Sequence, residues 1–241
     1  MTDQTASATP GSPEADQVRA MFDRIAGVYD LLNSAMTAGL HHRWRERAAD
    51  LAHIAPGARV LDVASGTGDL AIELARRVAP DGRVIGSDFS EAMLERARAK
   101  NRFGDRLRFE WADALALPYP DASFDAATVG FGIRNFADLA GGLSEMTRVV
   151  KPGGRVVVLE FTTPHGGPLA LFYRVWFDHI VPQLGRFSAD PGAYAYLPES
   201  VKHFPSPEAL AAKMERAGLQ RISYLLTAGG IVTVHAGTVP K

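Results

Sequence analysis

The sequence predicts an α/β protein built on an open, doubly wound, mostly parallel sheet. Short apolar runs alternate with amphipathic stretches at the spacing of βαβ units. The first of those runs, "ARVLDVA", breaks into glycines and passes directly into the helical "DLAIELARRVA". Right-handed crossovers between such units give helices on both faces of the sheet.

Residues 1–13, "MTDQTASATPGSP", are small and polar with prolines, and read as a disordered tail. From residue 14 to 33, Val18, Met21, Phe22, Ile25, Val28, Tyr29 and Leu32 recur at spacings of three and four. That is an amphipathic helix, or two helices broken near Gly27. A further helix is expected over 42–53. Strands follow at 58–64, 82–89, 106–113, 124–133 and 155–162, with Ser90 as the cap of the helix after the second. The helix "ADLAGGLSEMTRVV" is closed by "KPGG", where proline and glycine stop it. Beyond it, 168–184 reads as an unusually apolar helix, and 206–219 as a helix capped by Ser206. Residues 220–237 read as two strands joined by "TAGG".

Composition narrows the function classes. Hydrophobic residues make up 46% of the 241 and charged residues 22%, so a sizeable core is available. The formal charge is −1, which offers no electrostatic footprint for nucleic acid. There is no cysteine, which excludes disulfides, thiol nucleophiles and thiolate metal sites. No histidine pair has metal-ligand spacing, and no metal is expected. No apolar run reaches membrane-spanning length and the N-terminus lacks a signal-peptide pattern, so a soluble, cytoplasmic protein is expected.

The main chemical signal is "VLDVASGTGDLA". Gly66 and Gly68 let backbone approach a ligand, and the helix that follows offers free N–H groups and a partial positive charge. Gly66 to Ala71 also fits the dinucleotide pattern G-x-G-x-x-G/A, with Asp88 twenty residues past Gly68 as a ribose-binding acid. A nucleotide-dependent oxidoreductase is therefore one reading. Three features oppose it. Asp62 precedes the loop, where a carboxylate repels pyrophosphate but suits a cationic amino-acid end. Asp113 closes the third strand, where it can meet an adenine amino group. Only one mononucleotide half is evident, followed by a terminal strand pair rather than a second βαβαβ half. The set suits S-adenosylmethionine, which carries a cation and no phosphate.

The chain resembles the ubiquinone/menaquinone biosynthesis C-methyltransferases (the UbiE/MenG family) from about Val18 to Gly237. The resemblance is carried by "MFDRIAGVYDLLN", "VLDVASGTGDLA", "SDFSEAML", "DALALPYPDASFDAATVGFGIRNF", "EMTRVVKPGGRVVVLEF", "YAYLPESVKHFPS" and "GIVTVHAGT". It implies a class I S-adenosylmethionine-dependent methyltransferase fold with seven strands, the last antiparallel, and N-terminal helices. On that pattern 14–53 is a helical cap, 54–165 the cofactor-binding core, and 166–241 the substrate-side helices with the terminal strands. Implied cofactor contacts fall on Thr67, on Asp88 at the ribose, on Asp113 with Ala114 at the adenine, and on Gly130. Many relatives carry serine at Gly130, so only backbone contact is expected there. Ala64 stands where many class I enzymes have the first loop glycine.

The resemblance further implies methyl transfer to a ring carbon of a polyprenylated quinol. Demethylmenaquinol is favoured; the benzoquinol of ubiquinone synthesis is the alternative. Such chemistry needs help in removing the hydroxyl proton and a donor for the developing phenolate. Arginine stays protonated, so Arg134 in "FGIRN" is expected to stabilise charge and, with Asn135, to hold a water; Tyr29 completes the group. The competing structural readings pair Arg134 with Asp30 or Asp138, make Asn135 a helix cap and put Tyr29 in the core. His41, His42, His235 and Glu160 are weaker candidates. The stripe in 168–184 suits a homodimer surface or cover helix, or else a groove for an isoprenoid chain with peripheral contact at the inner face of the plasma membrane.

Overall fold

The protein is described from a computed structural model over residues 13–37, 39–164 and 191–241. Seven strands form one sheet: β1 (Arg59–Val63), β2 (Arg83–Asp88), β3 (Leu107–Trp111), β4 (Phe124–Gly130), β5 (Val150–Phe161), β6 (Gln220–Thr227) and β7 (Val232–Thr238). Their order is β3-β2-β1-β4-β5-β7-β6, and β7 alone runs opposite to the other six strands. The order reverses between β1 and β4, which opens a crevice at the carboxyl ends of those two strands.

Among the described residues the α-helices are α1 (Pro13–Ile25), α2 (Tyr29–Thr37), α3 (Leu40–Leu51), α4 (Asp69–Arg77), α5 (Glu91–Lys100), α6 (Leu139–Val149), α7 (Pro191–His203) and α8 (Pro207–Arg216). Alternation along the strands divides the core. Val60, Val157 and Leu159 face Ala48 of α3, Leu74 of α4 and Leu94 of α5. Leu61, Val129 and Val158 face Leu143 and Met146 of α6 and Leu210 and Met214 of α8. Asp62 and Thr128 are adjacent in register, which sets a carboxylate and a hydroxyl side by side at the crevice.

Several expectations stand and several change. The N-terminal stretch is two helices broken at 26–28, as one of the two readings had it. Val28 is exposed at 39%, because it falls in that break and off the packed stripe. Ser90 and Ser206 cap their helices, accepting from Met93 N–H and Ala209 N–H. The third strand ends at Trp111 and the fourth at Gly130, earlier than expected, because the chain turns out of the sheet to line the crevice. Residues 1–12 of the expected tail and the apolar stretch 168–184 lie outside the described residues.

Gly68 explains the second loop glycine. Its φ is 86°, at the residue preceding α4, and a Cβ there would lie 2.6 Å from Phe109 Cζ. Gly68→Ala is expected to cost at least about 1–3 kcal/mol of unfolding free energy through strain and overpacking, read by urea denaturation.

Candidate functional site

A cavity of about 310 Å³ opens at the carboxyl ends of β1, β2 and β4. The loop after β1, the ends of β2 and β4, the segment after β3, and Phe22 and Tyr29 of the N-terminal helices line it. Five aspartates (16, 62, 69, 88 and 113) and two arginines (19 and 45) face it, an acidic surplus that suits a cationic ligand and opposes a pyrophosphate.

Asp62 is 1% exposed. Its Oδ1 accepts from the Thr128 hydroxyl at 2.6 Å, while Oδ2 is buried with no partner. Burial pushes this carboxyl up to about 7, against the pull of Thr128 and Arg45. An orphaned buried oxygen on a cavity wall is what an ammonium or other cation would satisfy.

Asp88 is also buried, with Oδ2 accepting from Gly66 N–H at 2.8 Å and Oδ1 from Ser90 N–H at 2.9 Å. Burial raises it to about 6 despite these bonds. Asp88 thus ties the glycine loop to the second strand while lining the cavity. Asp113 accepts from Leu115 N–H at 2.9 Å and lines the cavity with Ala114. Gly130 lines it too, and an added Cβ there would stand 3.1 Å from Leu70 Cδ2.

Both raised carboxyls shift stability in one direction. Their folded values of about 7 and about 6 exceed the ordinary 3.8, so their stabilising contribution is present below that value. It is lost as pH rises through about 6 and then about 7. The ligand-free Tm is expected to fall between pH 5 and 8, all else equal, and Asp62→Asn to flatten that slope in pH-dependent calorimetry.

Two cofactor-loop residues sit differently from expectation. Gly68 does not line the cavity; its place is at the helix entry against Phe109. Thr67 lines it, but its hydroxyl donates to Asp30 Oδ1 at 2.5 Å, joining the loop to α2. Ala64 has φ 51°, the left-handed conformation that favours glycine, which accounts for glycine at this place in many other enzymes. Phe131 also has φ 60°, a strained non-glycine backbone at the cavity wall.

Arg134 and Asn135 occupy a single helical turn, Ile133–Asn135, immediately beyond β4. Arg134 pairs with neither Asp30 nor Asp138. Its Nη1 donates to Glu160 Oε1 at 2.6 Å and to the Phe131 carbonyl at 2.7 Å, and its Nε is buried with no partner. The Arg134 side chain is 6% exposed and that of Glu160 fully buried. Burial opposes the charge on Arg134, and the Glu160 carboxylate more than offsets it, holding the guanidinium above its ordinary value. Arg134 is therefore a cation and not a base.

Arg134 does not reach the large cavity. It lines a smaller adjoining one with Phe22, Ile25, Tyr29, Met36, Phe161 and Tyr196. Tyr29 and Phe131 face both spaces, and Asn135 faces the larger. Asn135 is not a helix cap, since Asp138 accepts from Ala140 N–H in that role. Its Oδ1 accepts instead from the Tyr196 hydroxyl at 2.9 Å. Trp44, Phe131 and Phe161 form an aromatic floor, with the latter two ring centroids 4.7 Å apart.

Of the histidines, His41 lies against Arg45 and Ser34, and burial with the Arg45 charge lowers it to about 4. His235 Nε2–H donates to the Pro207 carbonyl inside the core, away from both cavities. Folding brings His41, His42 and Asp69 within 4.8 Å, a grouping that spacing did not show. Lys100 and Arg45 already stand on Asp69 at 2.6 and 3.5 Å, so the positive charge a metal would bring is in place. Sequence reasoning missed Tyr196 as a site residue although "YAYLPES" carries it; only the fold brings it across 61 residues to Asn135.

Comparison with known proteins gives the family. The profile of the ubiE/COQ5 methyltransferase family matches residues 11–239. A demethylmenaquinone methyltransferase of Thermus thermophilus is 51% identical, over 91% of this chain and 100% of its own length. One from Deinococcus radiodurans is 50% identical over 88% of each. A ubiquinone/menaquinone biosynthesis C-methyltransferase of Geobacter sulfurreducens is 42% identical over 93% and 89%. Among solved structures, a SAM-dependent methyltransferase from Aquifex aeolicus shares the fold at TM-score 0.60 and 20% identity, over 81% of this chain and 89% of its own. The orphaned Asp62 oxygen, the acidic surplus and the glycine loop fit S-adenosylmethionine, and nothing supports the oxidoreductase reading. With its cofactor S-adenosylmethionine, the chain belongs to the ubiE/COQ5 methyltransferase family.

Proposed function

We propose that the protein methylates a ring carbon of demethylmenaquinol, a polyprenylated quinol, and so forms menaquinol. The observation that carries this is the pair of adjoining cavities. One is acidic and glycine-lined; the other is mainly apolar, with the buried Arg45 and Arg134 at its wall. The names of the two relatives at about half identity favour the naphthoquinol.

When bound, S-adenosylmethionine supplies a methyl group on a positively charged sulfur. Asp62, Gly66, Thr67, Asp88, Asp113, Ala114 and Gly130 would hold it. The large cavity takes the cofactor, and the quinol ring lies where Tyr29 and Phe131 face both spaces. Arg134, fixed by Glu160, stabilises negative charge on a ring oxygen as its hydroxyl proton leaves. That charge makes the ring carbon nucleophilic; as its bond to the methyl group forms, the methyl–sulfur bond would break and leave neutral S-adenosylhomocysteine, after which the ring carbon gives its proton to water and aromaticity returns. Asn135 donates from its amide, and Tyr29 and a water complete the proton path. The apolar walls exclude bulk water and strengthen each of these interactions.

A lipid substrate places the enzyme at a membrane surface on the cytoplasmic side. No helix among the described residues is long and apolar enough to cross one. Mass spectrometry of the quinone pool after deletion of the gene tests the assignment. Accumulated demethylmenaquinone supports it; an accumulated benzoquinone precursor would assign ubiquinone synthesis instead, and an unchanged pool would refute both.

A further inference from the structure

We infer that Tyr196 of α7 is a positioning residue that fixes which end of the Asn135 amide faces the acceptor. This rests on the quinol reading above. The Tyr196 hydroxyl donates to Asn135 Oδ1 at 2.9 Å, so the oxygen end of that amide is held toward α7. What remains for the cavity is the Nδ2 group with its two donor hydrogens. An oxygen that becomes a phenolate is an acceptor, and it is stabilised by a donor and repelled by a carbonyl oxygen. The two ends of a primary amide are nearly equal in shape, so packing alone does not choose between them. The phenol does.

Tyr196 is itself held in place. Its ring packs on the buried Met21, Ile25, Ala26 and Met93, which joins α7 to α1 and α5. It also lines the small cavity beside Arg134 and Tyr29. Burial pushes its hydroxyl above the ordinary value, so it stays protonated throughout the working pH range. The arrangement therefore couples α7, far along the chain, to the polarity of the acceptor site.

The test compares purified wild type, Tyr196→Phe, Asn135→Ala and the double variant, with reduced demethylmenaquinone and labelled S-adenosylmethionine. Tyr196→Phe keeps the ring, so the fold and the Kd for S-adenosylhomocysteine are expected to be unchanged. Its kcat is expected to fall about tenfold or more, with KM for either substrate changed less than about threefold. The double variant is expected to be no slower than Asn135→Ala, because the phenol acts through the amide. Full turnover in Tyr196→Phe would overturn the inference, as would losses that multiply in the double variant. Absence of labelled product with wild type would instead refute the quinol reading.

Discussion

Asp88→Ala is expected to abolish measurable cofactor binding. The carboxylate holds Gly66 N–H and Ser90 N–H and also lines the cavity, so its removal acts twice. It releases the glycine loop from the end of β2, and it takes away the acceptor assigned to the ribose hydroxyls. Hydrogen bonds to a charged group contribute about 1.5–3 kcal/mol each, and losing two weakens S-adenosylhomocysteine at least about 100-fold. Asp88→Asn separates the two effects. It keeps an acceptor oxygen for one backbone N–H, and removes a carboxyl that burial already pushes up to about 6. Asn at this position is expected to keep the Tm within a few degrees and still weaken binding about tenfold, by titration calorimetry. An unchanged Kd in either variant would remove Asp88 from the cofactor site.

Glu160→Ala carries the second large effect, and it concerns the fold before the chemistry. Arg134 would keep its buried charge and lose its counter-ion, and breaking such a pair costs about 3–5 kcal/mol. The Ala variant is expected to unfold at much lower urea and to turn over at a trace of the wild-type rate. Replacing both partners by leucine removes both charges, and is expected to recover most of that stability. Turnover is expected to stay lost, because the guanidinium assigned to the ring oxygen is gone. Recovery of activity in the double-leucine protein would show the ion pair to be structural only. Equal stability in Glu160→Ala and wild type would show the pair to be weakly coupled.

Much of this molecule was legible in the residues. The alternation of periods gave the sheet, because strand and helix repeats are imposed by backbone geometry. Asp62 and the glycine loop are contiguous, so their joint chemistry could be read along the chain. Gly68 could not be placed the same way: both loop glycines fit a ligand approach, and only packing shows Phe109 filling the space beside the second. The surroundings of Arg134 were the hardest to read. Its partner Glu160 lies 26 residues on, and the sheet register brings the ends of β4 and β5 together. The candidates Asp30 and Asp138 serve Thr67 and the α6 cap instead. Tyr196 depends on a helix packing across the crevice, which no spacing encodes.

The central claim is that one cavity presents S-adenosylmethionine to a quinol ring carbon in the adjoining one. It is tested most directly by incubating the purified protein with methyl-labelled S-adenosylmethionine and reduced demethylmenaquinone, then locating the label by NMR. The expected result is one labelled methyl group on the naphthoquinol ring carbon, formed by wild type and lost in a folded Arg134→Met variant that still binds S-adenosylhomocysteine. A label on oxygen, no transfer, or full transfer by Arg134→Met would contradict it.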